Sequence, residues 1–104
     1  MPVTCTSEGR NLTASIYGEI DHHSAKDIMK ELDRQIERII PLRLVLDCSG
    51  ITFMDSSGIA ILLRAYHRMK SLTGETTIIG VPPQPAKVLK AAGLHRLMGV
   101  QTGT

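Results

Sequence analysis

The order of strand-like and helix-like segments along this chain predicts an α/β fold: a single domain over residues 1–104, with a mixed β-sheet of four to five strands and helices packed on it. Three observations lead there. An alternating, hairpin-like pair of segments opens the chain, two long amphipathic helical stretches follow, and apolar runs too brief for helices separate and succeed them. A strand that returns after a helix is the pattern of a parallel crossover, so an antiparallel hairpin should be continued by parallel strands.

Residues 3–7 and 11–19 read as two strands joined across Glu8-Gly9-Arg10, where glycine suits a tight turn. In the second, Leu12, Ala14, Ile16 and Gly18 alternate with Thr13, Ser15 and Tyr17, so the hairpin is half-buried. Ser24, with Asp27 three residues later, reads as an N-cap. Ala25, Ile28, Met29, Leu32, Ile36 and Ile39 then recur at helical spacing until Pro41 stops the helix. Residues 42–47 carry Leu44, Val45 and Leu46 in succession, the pattern of a strand covered on both faces. Residues 51–54 precede a second helix over 57–72, with Ile59, Leu62, Leu63, Tyr66 and Met69 as its inner stripe and Gly74 as its C-cap residue. Residues 76–81 read as another buried strand, 85–92 as a short helix stopped by Gly93, and 98–101 as a brief edge strand. The charges of both long helices, among them Glu31, Arg34, Arg64 and Arg68, read as solvated faces.

Composition removes several classes of function. Hydrophobic residues at 42% and charged residues at 21% belong to a globular chain and exclude a disordered one. Twelve Lys and Arg against ten Asp and Glu leave a net charge of +2 with the signs interleaved, and Tyr17, Phe53 and Tyr66 are the only aromatics. A nucleic-acid site wants a basic face or stacking platforms, so no nucleic-acid partner is expected. Cys5 and Cys48 have neither metal nor redox spacing and read as buried free thiols. No apolar run approaches about 20 residues, and the first ten residues hold no basic region followed by an apolar one. No membrane partner is therefore expected, and the chain reads as soluble and cytoplasmic.

The informative stretch is Phe53-Met54-Asp55-Ser56-Ser57-Gly58-Ile59, where a buried strand gives way to an amphipathic helix. Loops after the strands of α/β sheets are held rigidly at the rim of the domain, where ligands and partners meet them. The plainer reading is that Asp55, Ser56 and Ser57 only cap the helix. One N-cap needs one such side chain, however, so at least one hydroxyl is left over. A nucleophilic serine needs a base within hydrogen-bond reach, and the Gly-x-Ser-x-Gly elbow is absent. No catalytic residue is assigned. Adjacent His22 and His23 without further ligands are weak metal evidence, and no metal or cofactor site is assigned either.

The serine stretch, together with Gly18-Glu19-Ile20-Asp21-His22-His23-Ser24-Ala25, resembles the STAS-domain anti-sigma factor antagonists over nearly the whole chain, and among them the sporulation members. The resemblance implies a partner switch. Unphosphorylated, such a protein binds an anti-sigma factor that is also a serine kinase and so frees the sigma factor; phosphorylation of the first serine after the aspartate, here Ser56, ends the interaction. A serine phosphatase resets it. ATP would belong to the kinase, since the chain has no Gly-x-x-x-x-Gly-Lys loop. The resemblance places Asp21, His22 and His23 beside Asp55, Ser56, Ser57, Gly58 and Ile59 as one partner surface. Physical chemistry supports the position: a phosphate adds about −1.5 to −2 charges, which unpaired amides at a helix N-terminus tolerate and a desolvated contact beside Asp55 does not.

Other readings of the same residues are a general-stress antagonist, an STAS subunit of a larger signalling assembly, or an enzyme or ligand-binding domain using the serine loop. The chain departs from the family pattern at Gln101-Thr102-Gly103-Thr104, where no helical pattern follows the last strand. That leaves open an apolar patch and self-association.

Overall fold

In the computed structural model, which describes residues 2–103, five strands form one mixed sheet: β1 (Val3–Glu8), β2 (Asn11–Ile20), β3 (Arg43–Met54), β4 (Glu75–Val81) and β5 (Gly99–Thr102). The strands lie side by side in chain order. β1 runs antiparallel to β2, and every later pair is parallel. Helices α1 (His22–Ile39), α2 (Ser56–Ser71) and α3 (Pro83–Ala91) make the three crossovers, and a 3₁₀ turn, Leu94–Arg96, leads into β5. The expected α/β fold with helices packed on a mixed sheet is the one observed. Met1 and Thr104, the ends of the predicted domain, lie outside the described residues.

Right-handed crossovers between strands stepping steadily in one direction place all the helices on one face. Burial follows that rule. Leu12, Ala14 and Ile16 of β2, Leu44, Leu46 and Cys48 of β3, and Ile78 of β4 are buried with Ile28, Leu32 and Ile36 of α1 and Ile61, Leu62 and Met69 of α2. Each of the Leu, Ile and Met side chains among these, fully buried, stabilises the fold by roughly 1.5–3 kcal/mol. The opposite face is open. Thr13 and Ser15 of β2, Val45 and Asp47 of β3, and Thr77 and Ile79 of β4 are half-buried, and Tyr17 and Ser49 are exposed. The expectation that residues 42–47 are covered on both faces is thus corrected, because the apolar Val45 merely stiffens a face on which, among the described residues, no helix packs.

Other expectations need smaller corrections. Residues 43–47 and 51–54 belong to one continuous strand, β3, which runs through Ser49-Gly50 by register shifts against β2, and Leu42 lies just before it. The inner stripe of α2 is Gly58, Ile61, Leu62, Ala65 and Met69, while Ile59, Leu63 and Tyr66 are half-buried at its flanks. At the end of α2 it is Thr73, with φ 57°, that turns left-handed, not Gly74, whose amide bonds back to Met69. The outer charges are only partly solvated faces: Arg64 meets Asp33 at 2.7 Å and Arg68 meets Glu37 at 2.9 Å, pinning α2 to α1. Such exposed pairs contribute at most about 1 kcal/mol each. Of the cysteines, only Cys48 is fully buried, and desolvation pushes its thiol up to about 12; Cys5 is half-buried.

Two β-branched residues take a left-handed backbone, Thr73 after α2 and Ile40 after α1. Ile40, between α1 and Pro41, adopts φ 47° and ψ 63°, a left-handed conformation that a β-branched residue rarely takes. It is held there because the Arg10 guanidinium donates two hydrogen bonds to its carbonyl, at 3.0 and 3.2 Å. The Ile40 side chain is half exposed, so little packing offsets the strain. Ile40→Gly should therefore raise stability by about 0.5–1 kcal/mol, read as a higher denaturant midpoint with an unchanged slope.

Candidate functional site

The site is assembled by the pairing of β2 with β3. Their last registered residues are Ile20 and Met54, and the Asp55 amide donates to the Ile20 carbonyl at 3.1 Å. The next residue on each strand, Asp21 and Asp55, is the N-cap of the helix that follows. Two helix N-termini therefore stand side by side at the carboxyl edge of the sheet.

At α1 the Asp21 carboxylate accepts from the amides of His23 and Ser24, both at 3.0 Å, and the Ser24 hydroxyl accepts from the Asp21 amide at 3.2 Å. This reciprocal box replaces the expected Ser24 cap, so His22 and His23 are the first two helical residues and not a loop. Both are exposed, with ring centroids 4.1 Å apart. The Ser24 amide, above all, holds the Asp21 carboxyl below the usual carboxylate range; desolvation opposes it, and the His23 amide adds to the lowering.

At α2 the Asp55 carboxylate accepts from the Ser57 amide at 2.7 Å, and its carbonyl accepts from Gly58 at 3.1 Å. Asp55 alone thus serves as the cap. Ser56 begins the helix, exposed to solvent, and among the described residues its hydroxyl has no hydrogen-bond partner. Ser57 and Ile59 are half-buried, and Gly58 is buried. A Cβ on Gly58 would lie 2.5 Å from Met54 Cγ and 2.6 Å from its sulfur, so glycine is what lets α2 settle onto the buried Met54. The amides expected to be free for a phosphate are partly taken, since Ser57 and Gly58 already donate to Asp55.

One positioning residue escaped the sequence reading. The Gln84 side chain in α3 accepts from the Met54 amide at 2.9 Å and donates to the Met54 carbonyl at 2.8 Å, clamping the peptide units just ahead of Asp55. A glutamine following Pro82-Pro83 carries no local signal for this. The clamp spans 30 residues and exists only in the folded chain.

The eight residues expected at the partner surface fall on two adjacent helix starts, but Gly58 is buried beneath the loop and is not part of its surface. The structure also sets the His22-His23 turn on the helix start neighbouring Ser56, although among the described residues neither imidazole bonds to that hydroxyl. Among the described residues no group of three or more His, Cys, Asp or Glu could hold a metal, and no helix is long and apolar enough to cross a membrane.

Gln84→Ala should cost about 1–3 kcal/mol by leaving both Met54 backbone groups unpaired, and should speed amide exchange at residues 55–58 more than in α1. Acid should act through Asp21. Its folded-state pKa is depressed, so its contribution is present above the unfolded value of about 3.9 and is lost as pH falls through the folded one. Asp21→Asn, which can still cap, should show a smaller drop in melting temperature between about pH 6 and about pH 3 than the wild type.

Comparison with known proteins agrees with this architecture. Residues 4–103 match the STAS domain. The chain is 30% identical over 89 residues to the anti-sigma F factor antagonist of Paenibacillus polymyxa, covering 86% of this chain and 76% of that one. Among solved structures it superposes on the anti-sigma factor antagonist SpoIIAA in its unphosphorylated form with a TM-score of 0.82 at 23% identity, over 96% of this chain and 88% of the other. The Bacillus cell fate determinant SpoIIAA in its phosphorylated form gives 0.74 at 23% identity, over 96% and 91%. With its family's pattern running through almost every element from β1 to β5, the chain belongs to the STAS domain family.

Proposed function

We propose that this protein is an anti-sigma factor antagonist that works by partner switching. In its unmodified form it binds an anti-sigma factor with serine kinase activity and frees the sigma factor. Phosphorylation of Ser56 by that kinase, with ATP bound by the kinase, ends the association, and a serine phosphatase restores it. The observation that carries the reading is the exposed Ser56 hydroxyl, left without a partner while Asp55 does the capping. The similarity to the Paenibacillus anti-sigma F factor antagonist favours a sporulation pathway, and SpoIIAA exists in both phosphorylated and unphosphorylated forms.

The partner surface is formed by Asp21, His22, His23, Asp55, Ser56, Ser57 and Ile59, while Gly58, buried under the loop, serves by letting it sit flat. Charge explains the switch. A phosphate on Ser56 adds about −1.5 to −2 charges next to Asp55, which already occupies the Ser57 amide. The modified loop must keep its charge hydrated, and a contact that would desolvate it is lost. The helix itself survives, because its N-terminal dipole favours an anion.

Incubation with ATP and the anti-sigma kinases of the source organism should place one phosphate on the wild type and none on Ser56→Ala. In calorimetric titration Ser56→Asp should bind the kinase about a hundredfold more weakly, roughly 3 kcal/mol. Equal affinity of Ser56→Asp and wild type would overturn the proposal.

A further inference from the structure

The open face of the sheet carries a feature that packing does not explain. Along β2 alternation is regular: Leu12, Ala14, Ile16 and Ile20 are buried toward the helices, and Tyr17 and Glu19 are exposed on the other side. Along β3 it is not. After an earlier shift between Asp47 and Gly50, Gly18 pairs with Ile51 but Glu19 pairs with Phe53, so β3 holds a further extra residue here, the exposed Thr52. Regular alternation from the buried Ile51 would turn Phe53 inward and Met54 outward. The bulge reverses both, leaving Met54 1% and Phe53 46% exposed. Bulges of this kind re-aim side chains beside functional sites. Here one holds the chain's only phenylalanine half in water, on the open face, two residues before Asp55.

We propose that Phe53 is the anchor by which the protein that recognises the Ser56 loop also grips the open face of the sheet, with Tyr17 as its flank. This rests on the functional reading above, and the occupant is that same anti-sigma kinase. Three observations select it. Phe53 and Ser56 are both exposed and lie three residues apart, and the backbone between them is held by the Gln84 clamp on Met54 and by the Asp55 amide bonded to Ile20. Tyr17, two residues before the Glu19 that pairs with Phe53, is exposed on the same face and lies over Gly50, where a Cβ would come within 2.5 Å of its Cδ1, so a glycine makes room for this second ring. Glu19, paired with Phe53, and the caps Asp21 and Asp55 border the anchor with negative charge. A second copy of this chain would set like charges against each other, whereas a partner with an apolar pocket edged by Lys or Arg would not. A large aromatic ring in such a setting is the usual type of binding hot spot.

The test compares wild type, Phe53→Ala and Leu42→Ala by calorimetric titration with the source organism's anti-sigma kinases, with melting curves of each variant. Leu42 is 48% exposed and immediately precedes β3, at the end of the sheet away from Ser56, so it controls for loss of an exposed apolar side chain. Phe53→Ala should bind at least about tenfold more weakly, while Leu42→Ala binds as wild type does. Binding of Phe53→Ala within about twofold of wild type would overturn the anchor while leaving the switch intact. If Phe53→Ala melts early, amide exchange on the wild-type complex decides: slowed exchange at Tyr17, Glu19 and Phe53 supports the anchor, and unchanged exchange there refutes it. Failure of the wild type to bind any of these kinases would overturn the switch and the anchor together.

Discussion

The parallel pairing that ends with Ile20 opposite Met54 is the constraint on which the site depends. Two strands that finish at the same height must release their helices at the same height, and each helix needs a cap at once. Asp21 and Asp55 therefore arise from one geometric fact, and so does the adjacency of two segments that lie far apart in the chain. A shift of one residue in that register would turn Met54 out of the core and separate the two helix starts.

Around that pairing the serine loop is fixed from three directions. Asp55 ties the first turn of α2 to its own carboxylate, Gln84 holds the Met54 peptide from α3, and Gly58 allows the helix to rest on Met54 without a side chain between them. The result is a serine whose backbone is determined on every side and whose hydroxyl is committed to none of it. Rigid backbone with a free reacting group suits recognition by another protein's active site, because the loop need not be ordered on binding.

Most of the fold was legible because its signals are local. The alternation of Leu12, Ala14 and Ile16, the helical spacing of Ile28, Leu32 and Ile36, and Pro41 as a stop each act within a few residues. Boundaries and faces were less legible. Ser24 and Asp21 are both good caps, and only the geometry at the end of β2 selects Asp21, with Ser24 as its reciprocal partner. Val45 in an apolar run signals burial, yet whether a second layer covers a face depends on crossover handedness and strand order, which no short window records. Gln84 and the bulge at Thr52 gave no signal, since both exist only as relations between strands or between a helix and a strand.

The sequence by itself determined the α/β order, the amphipathic helices and the presence of an aspartate with two serines at a strand-to-helix junction, because periodicity and capping chemistry are properties of neighbouring residues. Tertiary structure alone decided which of those polar groups is spent on the cap, which is left free, and which way Phe53 faces. The physical reason is that hydrogen-bond satisfaction and strand register are settled between segments tens of residues apart, where Ile20 meets Met54 and Gln84 closes over both its peptide groups.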